Sequence, residues 1–544
     1  MSLYTQEKKK KKEPPFGSLR LFLKAVLDYI ICLYLILMLG MLPFYNEEGY
    51  AHIGTDKAVF FSRLSAGTGK LLALPVLLYL ALSLAAYFRK EKRGSTLWEE
   101  VRSRITATDA FALIYTAALL LSYVCSRYRS SALWGARSWY MGLIPQLTLV
   151  LVYFLVSRLW TPRRWVLLLA LPVSAAVFLL GSLNRFDVYP VEMEYASPSY
   201  ISTIGNINWF CGYAVSVFFI GAALLWLNTA KKPWQQVLLM AYTALGFTTI
   251  VIQGSDSGLA ALGAVLLLLF CLSVRDKNRM LVFWQELLLL SGGCLTIYGI
   301  RLLAPDRMNY TEGIGDKLTY GWLPIIMTIV SLFGLWLAWE YKREKLPGEK
   351  LFRFLAGAAV VTAAAGLLLA LALAAVNTLH PGSLGALSEY GLFTLDEYWG
   401  SSRGATWRAG WSCFAEQDAL HKLVGVGPDC MAEYIASGAS EELQAAVKLR
   451  FGERRLTNAH NEWLTVLVNT GILGLAGFGG MMVCGMRELI KKGKENTVAC
   501  ACGICLLAYT VNNIFSFQQA VSTGTIFVIF GIGEAFLRRE EGGR

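Results

Sequence analysis

The sequence repeats apolar runs of roughly 17–25 residues, the length that carries a helix across a bilayer core of about 30 Å. No other feature narrows the fold as much, because a segment in lipid must satisfy its own backbone hydrogen bonds. Fourteen runs qualify, near residues 20–43, 71–88, 108–125, 139–157, 166–183, 207–227, 236–252, 258–274, 281–300, 321–341, 354–377, 463–486, 497–517 and 522–537. Charged residues make up 16% of the chain, against about a quarter in soluble proteins. A soluble enzyme, a disordered chain and a disulfide scaffold are excluded. So is an outer-membrane barrel, whose strands alternate apolar and polar residues. The expected fold is all-α, a polytopic integral membrane protein of about 14 transmembrane helices.

The formal charge of +12 invites a nucleic-acid reading, but the basic residues sit in short tracts between the apolar runs. With the N-terminus inside, the cytoplasmic segments hold 31 Lys and Arg, and the short outer loops, of about equal total length, hold 10. That asymmetry is a positive-inside signal. It sets four regions: a basic cytoplasmic tail (1–19), eleven transmembrane helices (20–377), an extracytoplasmic loop (378–462), and three further helices with a cytoplasmic tail (463–544). The tract Lys8–Lys12 reads as a solvated tail and not as a signal peptide, since the first apolar run lacks a cleavage pattern.

The loop 378–462 is the exception among short connections, and loops of such length are usually functional. It carries Trp407 and Trp411, Arg403 and Arg408, and three of the four histidines. Cys413 and Cys430 fall in it and could pair outside the cytoplasm. Most other cysteines lie in apolar runs as small hydrophobes. No Walker loop is present, so nothing points to ATP-driven transport.

The sharpest local feature is Asn458-Ala-His460-Asn461, followed after nine intervening residues by Gly471 and then Gly474. It sits where the outer loop meets a membrane helix. A histidine there can exchange a proton near neutral pH. The same residues can equally cap a helix whose small residues allow close packing.

This stretch resembles the signature of the O-antigen ligase and Wzy polymerase superfamily, and His460, Asn461, Gly471 and Gly474 fit it at each fixed position. Ser402-Arg403, Trp407 and Gly425-Val-Gly427-Pro428 resemble a second family segment in the same loop. Gly205-Asn206-Ile-Asn208 resembles a third. Ser255-Asp256-Ser257-Gly258 resembles a fourth, in which many relatives carry arginine where this chain has Asp256. The resemblance implies an inverting glycosyltransferase with no metal and no cofactor, acting on the outer face of the cytoplasmic membrane. It implies a glycan donor on undecaprenyl diphosphate and a glycan, lipid or protein acceptor. Such chemistry needs a base for the acceptor hydroxyl and cations for the departing diphosphate.

By that resemblance His460 is the base and Arg403 the first diphosphate ligand. Arg408 and Arg137 rank behind it, with Arg127, Arg129, Arg185 and Arg301 as further candidates to replace the missing family arginine. Gly205, Asn206, Ser257, Gly258 and Trp407 are motif positions. Asp28, Asp109 and Glu286 fall in or beside apolar spans. For the first two the simplest reading is a span drawn too long, and for Glu286 a side chain reaching the interface. Trp134, Trp139, Trp160 and Trp234 read as an interfacial belt. Ligase and Wzy-type polymerase share these motifs. A lipid-linked oligosaccharide flippase is the rival from another class, and it predicts charged residues through the middle of many helices.

Overall fold

The computed structural model describes residues 17–89, 96–136, 139–309, 312–492 and 495–541. The expected basic tail lies outside them up to residue 16. Among the described residues the strands are one antiparallel pair, Tyr200–Ile201 against Gly205–Asn206. Twelve helices among the described residues are long and apolar enough to cross a membrane. Two shorter apolar helices, Leu143–Leu159 and Thr497–Asn512, cover the two remaining runs. The protein is an all-α, multi-pass membrane protein.

The bundle is built around two helices. Ile207–Trp226 and Ala520–Arg539 are each 94% buried over their apolar windows, whereas Ile53–Phe88 and Gly348–Leu379 are 6% buried. The sequence of Ile207–Trp226 accounts for its place, since Phe210, Tyr213, Phe218, Phe219 and Trp226 point in all directions and are all buried. A helix apolar all round needs partners on every side. Thr497–Asn512 and Pro233–Ile252 supply two of them.

The second helix differs from its sequence-based expectation. It begins at Ile53, where the polar composition predicted a loop until residue 71, and runs to Phe88. Its early polar face is satisfied by protein: the buried Lys57 donates from Nζ to the carbonyls of Leu42 and Pro43, each at 2.9 Å. Polarity therefore did not end the helix.

The buried charges also resolve. Asp28 lies in the middle of the helix Gly17–Gly40, so no misdrawn boundary explains it; it binds Arg163 and accepts from the Thr161 amide at 2.7 Å. Asp109 does sit at a helix end, the third residue of Ala107–Cys125, where it caps Thr106 and meets Arg158 and Arg538. Glu286 does not reach the interface. Its side chain is wholly buried, and neither carboxylate oxygen has a hydrogen-bond partner among the described residues.

The helix Glu462–Lys491 is broken at Gly471, whose φ is +67° and ψ −169°. Unwinding frees carbonyls that a second segment takes up: the Val426 amide donates to Val468 O at 3.2 Å and the Gly427 amide to Asn469 O at 3.0 Å. Ser122 Oγ adds a bond to Asn469 O at 2.7 Å. A Cβ on Gly471 would lie 2.3 Å from Leu423 O. Irregular backbone at this depth is tolerated because protein buries it. Gly471 thus admits the Leu423 carbonyl at the break, and the expected small-residue packing is displaced along the helix. A Cβ on Gly474 would strike Thr470 of its own helix, while one on Gly477 would lie 2.5 Å from the Tyr115 amide of Ala107–Cys125.

The segment 378–462 folds as a cap. It contains the helices Trp399–Glu416, Ala419–Val424, Met431–Ser437 and Glu441–Phe451. Cys413, Cys430, Met431, Tyr434 and Leu443 make its own apolar centre, joined by Ala132 from another loop and Val468 from the broken helix. Cys413 and Cys430 are both free thiols within it, so the possible pairing is not formed.

Candidate functional site

His460 lies on the extended segment between the cap and the broken helix, and its neighbours are fixed one by one. Thr406 Oγ1 of Trp399–Glu416 donates to Ala459 O at 2.8 Å, and the Ala459 amide donates to Thr465 Oγ1 at 3.1 Å. Asn458 Oδ1 accepts from the His460 amide at 3.0 Å. Asn461 is the N-cap of Glu462–Lys491, its Oδ1 accepting from the Leu464 amide at 3.0 Å. Between these anchors His460 adopts a φ of +49°. A non-glycine residue held there costs on the order of 1–3 kcal/mol and persists only where its surroundings dictate it.

The imidazole stands edge-on to Phe517, with centroids 5.0 Å apart. Neither ring nitrogen has a hydrogen-bond partner among the described residues. Burial, with a smaller push from the Arg403 charge, brings the His460 pKa down to about 4. At neutral pH the ring is uncharged and offers a free lone pair.

Arg403 follows three residues in left-handed conformation, Gly400, Ser401 and Ser402, with φ of 59°, 59° and 72°. This turn directs the side chain back under the cap. Nε donates to Phe515 O at 2.9 Å, Nη1 to Gly400 O at 2.9 Å, and Nη2 to Asn208 Oδ1 at 3.4 Å. Those three bonds leave two of the five N–H donors of a guanidinium unused. No carboxylate lies within ion-pair distance of Arg403 among the described residues. Burial lowers its pKa, partly offset by Cys211 and Asp256. A half-buried cation without a counter-charge is the electrostatic description of an anion site.

Asn208 joins Arg403 to the segment around Ser257. Its Oδ1 also accepts from Ser255 Oγ at 2.8 Å, and Ser255 Oγ lies 2.9 Å from Ser257 Oγ. Ser257 in turn contacts Cys211 Sγ at 3.5 Å. Gly258 is small because a Cβ there would lie 2.7 Å from the same sulfur. Asp256 is exposed and turns the other way, its Oδ1 accepting from the Ile314 amide at 2.9 Å. The carboxylate therefore caps Gly313–Leu318 and stands near Arg403 without pairing to it. Gly205 and Asn206 act locally. Gly205 closes the strand pair at φ +108°, and Asn206 caps Ile207–Trp226.

The remaining arginines do not converge on His460. Arg408 is exposed and pairs with Glu397 at 3.5 Å. Arg185 is wholly buried and donates to the carbonyls of Pro198 and Gln253. Arg301 pairs with Asp316 at 2.7 Å. Arg129 donates to Val124 O at 2.6 Å. Arg127 lines a separate pocket with Tyr128, Asp418 and His421. Arg137 lies outside the described residues. Of the four histidines, His421 is held by Asp418 at 2.7 Å and His52 stands near Glu48.

Trp407 stacks on Phe515 with centroids 5.9 Å apart, so it supports the carbonyl that holds Arg403. Trp411 is exposed. Trp139 is not part of a belt. It stands edge-on to Phe517 at 4.8 Å and to Trp209 at 5.2 Å, extending an aromatic row from His460. Trp160 is buried, while Trp134 and Trp234 are exposed. Next to the row is a small polar chamber of about 30 Å³ whose lining includes Gln146, Asp429, Asn458, Glu462, Asn469 and Phe517. Asp429 receives the amides of Ala136 and Met141 at 2.7 and 3.1 Å, and burial raises its pKa to about 7. Sequence reasoning passed over Phe515, Phe517 and Asp429. The only signal for the two phenylalanines was their place just after a membrane helix.

Comparison with curated proteins gives no match. A family model described as O-antigen ligase matches residues 319–479. That interval contains the whole cap, Arg403, His460 and the broken helix through Gly474. Residues 319–479 are thus similar to the O-antigen ligase family, which supports the resemblance to the O-antigen ligase and Wzy polymerase superfamily.

Proposed function

We propose that the protein transfers a glycan from an undecaprenyl-diphosphate carrier to an acceptor hydroxyl on the outer face of the cytoplasmic membrane, in cell-surface polysaccharide biosynthesis. The observation that carries this reading is the juxtaposition of an uncompensated Arg403 with an uncharged His460. His460 takes the proton of the acceptor hydroxyl. The acceptor oxygen bonds to the anomeric carbon from the face opposite the leaving group, so configuration inverts. The bond from that carbon to the phosphate oxygen breaks, and the diphosphate departs with the electron pair toward the two free N–H groups of Arg403. The guanidinium, and not a metal ion, meets the charge.

The electrostatics support an order of events. Arg403 helps to hold the His460 pKa at about 4, where imidazole is a weak base. A diphosphate docked on Arg403 offsets that positive field, so the donor itself raises the basicity of His460. The N- and C-termini then lie on the cytoplasmic side, and 378–462 is an extracytoplasmic catalytic cap.

A Wzy-type polymerase would use the same two side chains with a growing chain as acceptor. A flippase would need charged side chains facing a path, whereas Asp28 in mid-helix and Asp109 at a helix end are each paired with arginine. The test is purified protein with a lipid-diphosphate glycan donor and candidate acceptors. Transfer that survives both His460→Ala and Arg403→Ala sinks the enzyme reading, and donor crossing the bilayer without transfer favours the flippase.

A further inference from the structure

Away from the site, helices Arg164–Asn184 and Pro233–Ile252 run side by side against the central helix. Two hydroxyl contacts join them, Ser182 Oγ to Thr249 Oγ1 and Ser174 Oγ to Tyr242 Oη, both at 2.9 Å. Toward their N-terminal ends the two helices part around a groove of about 740 Å³. Its walls are apolar, with Leu168 and Leu171 facing Leu238 and Leu245, and Leu224 of the central helix is on the floor. Its charged end carries Arg164 and Lys231, beside the exposed Trp234.

Neither cation has a carboxylate within ion-pair distance among the described residues, although the adjacent Arg163 is committed to Asp28. Arg164 Nε is buried and has no hydrogen-bond partner. An apolar trough that ends in two uncompensated cations and an interfacial tryptophan matches an amphiphile with a long chain and an anionic head.

The position excludes the reacting donor as occupant. Pro233–Ile252 has 20 residues, hence a length of about 30 Å, and its far end leads into Ser255, which contacts Asn208 beside Arg403. A headgroup at Arg164 and Lys231 is therefore about one bilayer thickness from His460. We infer that this groove binds an anionic diacyl phospholipid, its phosphate between Arg164 and Lys231 and an acyl chain between the two helices.

The experiment is native mass spectrometry of the full-length protein in detergent, with phosphatidylglycerol or phosphatidylcholine added at equal concentration. We expect phosphatidylglycerol to remain bound at collision energies that strip phosphatidylcholine. Arg164→Gln combined with Lys231→Gln is expected to weaken its retention about tenfold or more. Lys350→Gln combined with Arg353→Gln, outside the groove, is expected to leave it unchanged. A groove-filling Leu171→Trp serves as a second probe, and it is expected to reduce retention with both cations intact. Thermal melts check that each variant is folded. Equal retention of the two phospholipids overturns the inference, as does wild-type retention in the double variant or in Leu171→Trp. Retention of undecaprenyl phosphate in preference to phosphatidylglycerol also overturns it. None of these readouts depends on glycan transfer, so the groove and the proposed enzyme fail or stand separately.

Discussion

Replacing Arg403 by Gln tests the site most directly, because the structure assigns that side chain two separable effects. The first is on the leaving group. Three of its five N–H donors are spent on Phe515, Gly400 and Asn208, so two remain for diphosphate oxygens. A hydrogen bond to a charged group contributes about 1.5–3 kcal/mol, and losing both at the low end of that range removes about 3–4 kcal/mol of transition-state stabilisation, or ~10²–10³ in rate. The second effect is on His460, whose pKa is held at about 4 by burial first and by the Arg403 charge second. Without the charge, the His460 titration moves upward, while burial still keeps it below the ordinary value. The assay pairs single-turnover transfer across pH with NMR titration of selectively labelled histidine in detergent. The expected result is a transfer rate lowered about 10²–10³-fold, with the His460 titration displaced toward higher pH. Arg403→Lys keeps the charge but not the three-pronged anchoring, so it should lower the rate while leaving the histidine titration near that of the parent protein. An unmoved histidine in Arg403→Gln, or an unchanged rate, refutes the reasoning.

Four further variants test the structure. His460→Gln lowers transfer by at least the 10²-fold typical of losing a general base. Because the folded pKa of His460 lies below its unfolded value of about 6.5, the native protein loses stability as pH falls from about 6.5 to 4, by up to about 3 kcal/mol; melting curves of His460→Gln should lack that acid-side loss. Asp429 has the opposite sign: with its pKa raised to about 7, stability falls as pH rises from about 4 through 7, so Asp429→Asn should raise the melting temperature at pH 8 and not at pH 4. Gly471→Ala introduces a Cβ 2.3 Å from Leu423 O at a φ of +67°, expected to cost about 3 kcal/mol or more, and an unaltered melting temperature in detergent would count against the break at this residue. Asp256→Ala removes a cap from Gly313–Leu318 at about 0.5–2 kcal/mol and leaves donor affinity within about threefold, whereas a tenfold loss would show that the carboxylate acts on the donor.

The apolar runs needed no tertiary information to be read as helices. Their length and composition leave few other ways to satisfy a backbone in lipid, and each run does contain a helix. The two that mattered for the site, near 207–227 and 463–486, were placed within a few residues of their ends. His460 and Arg403 were singled out as candidates by motifs that resemble a family signature, and the structure sets the Arg403 charge close enough to act on the His460 ring. The sequence reading erred where polarity is satisfied by distant chain. The helix from Ile53 looked like a loop because Lys57 finds its acceptors in Leu42 and Pro43. Asp256 read only as the loss of a family arginine because its partner, the Ile314 amide, is 58 residues away.

The site's geometry is of the same long-range kind. Arg403 is held by Phe515, 112 residues later, and meets Asn208, 195 residues earlier. The break at Gly471 requires the amides of Val426 and Gly427 to receive its freed carbonyls. Local sequence determined that this chain is a bundle of membrane helices with a histidine and an arginine at one face. Only the tertiary structure decided that this arginine, unlike Arg301 and Arg408, has no carboxylate within ion-pair distance among the described residues. The reason is physical: helix formation in a bilayer is decided by neighbours in sequence, whereas charge compensation is decided by neighbours in space.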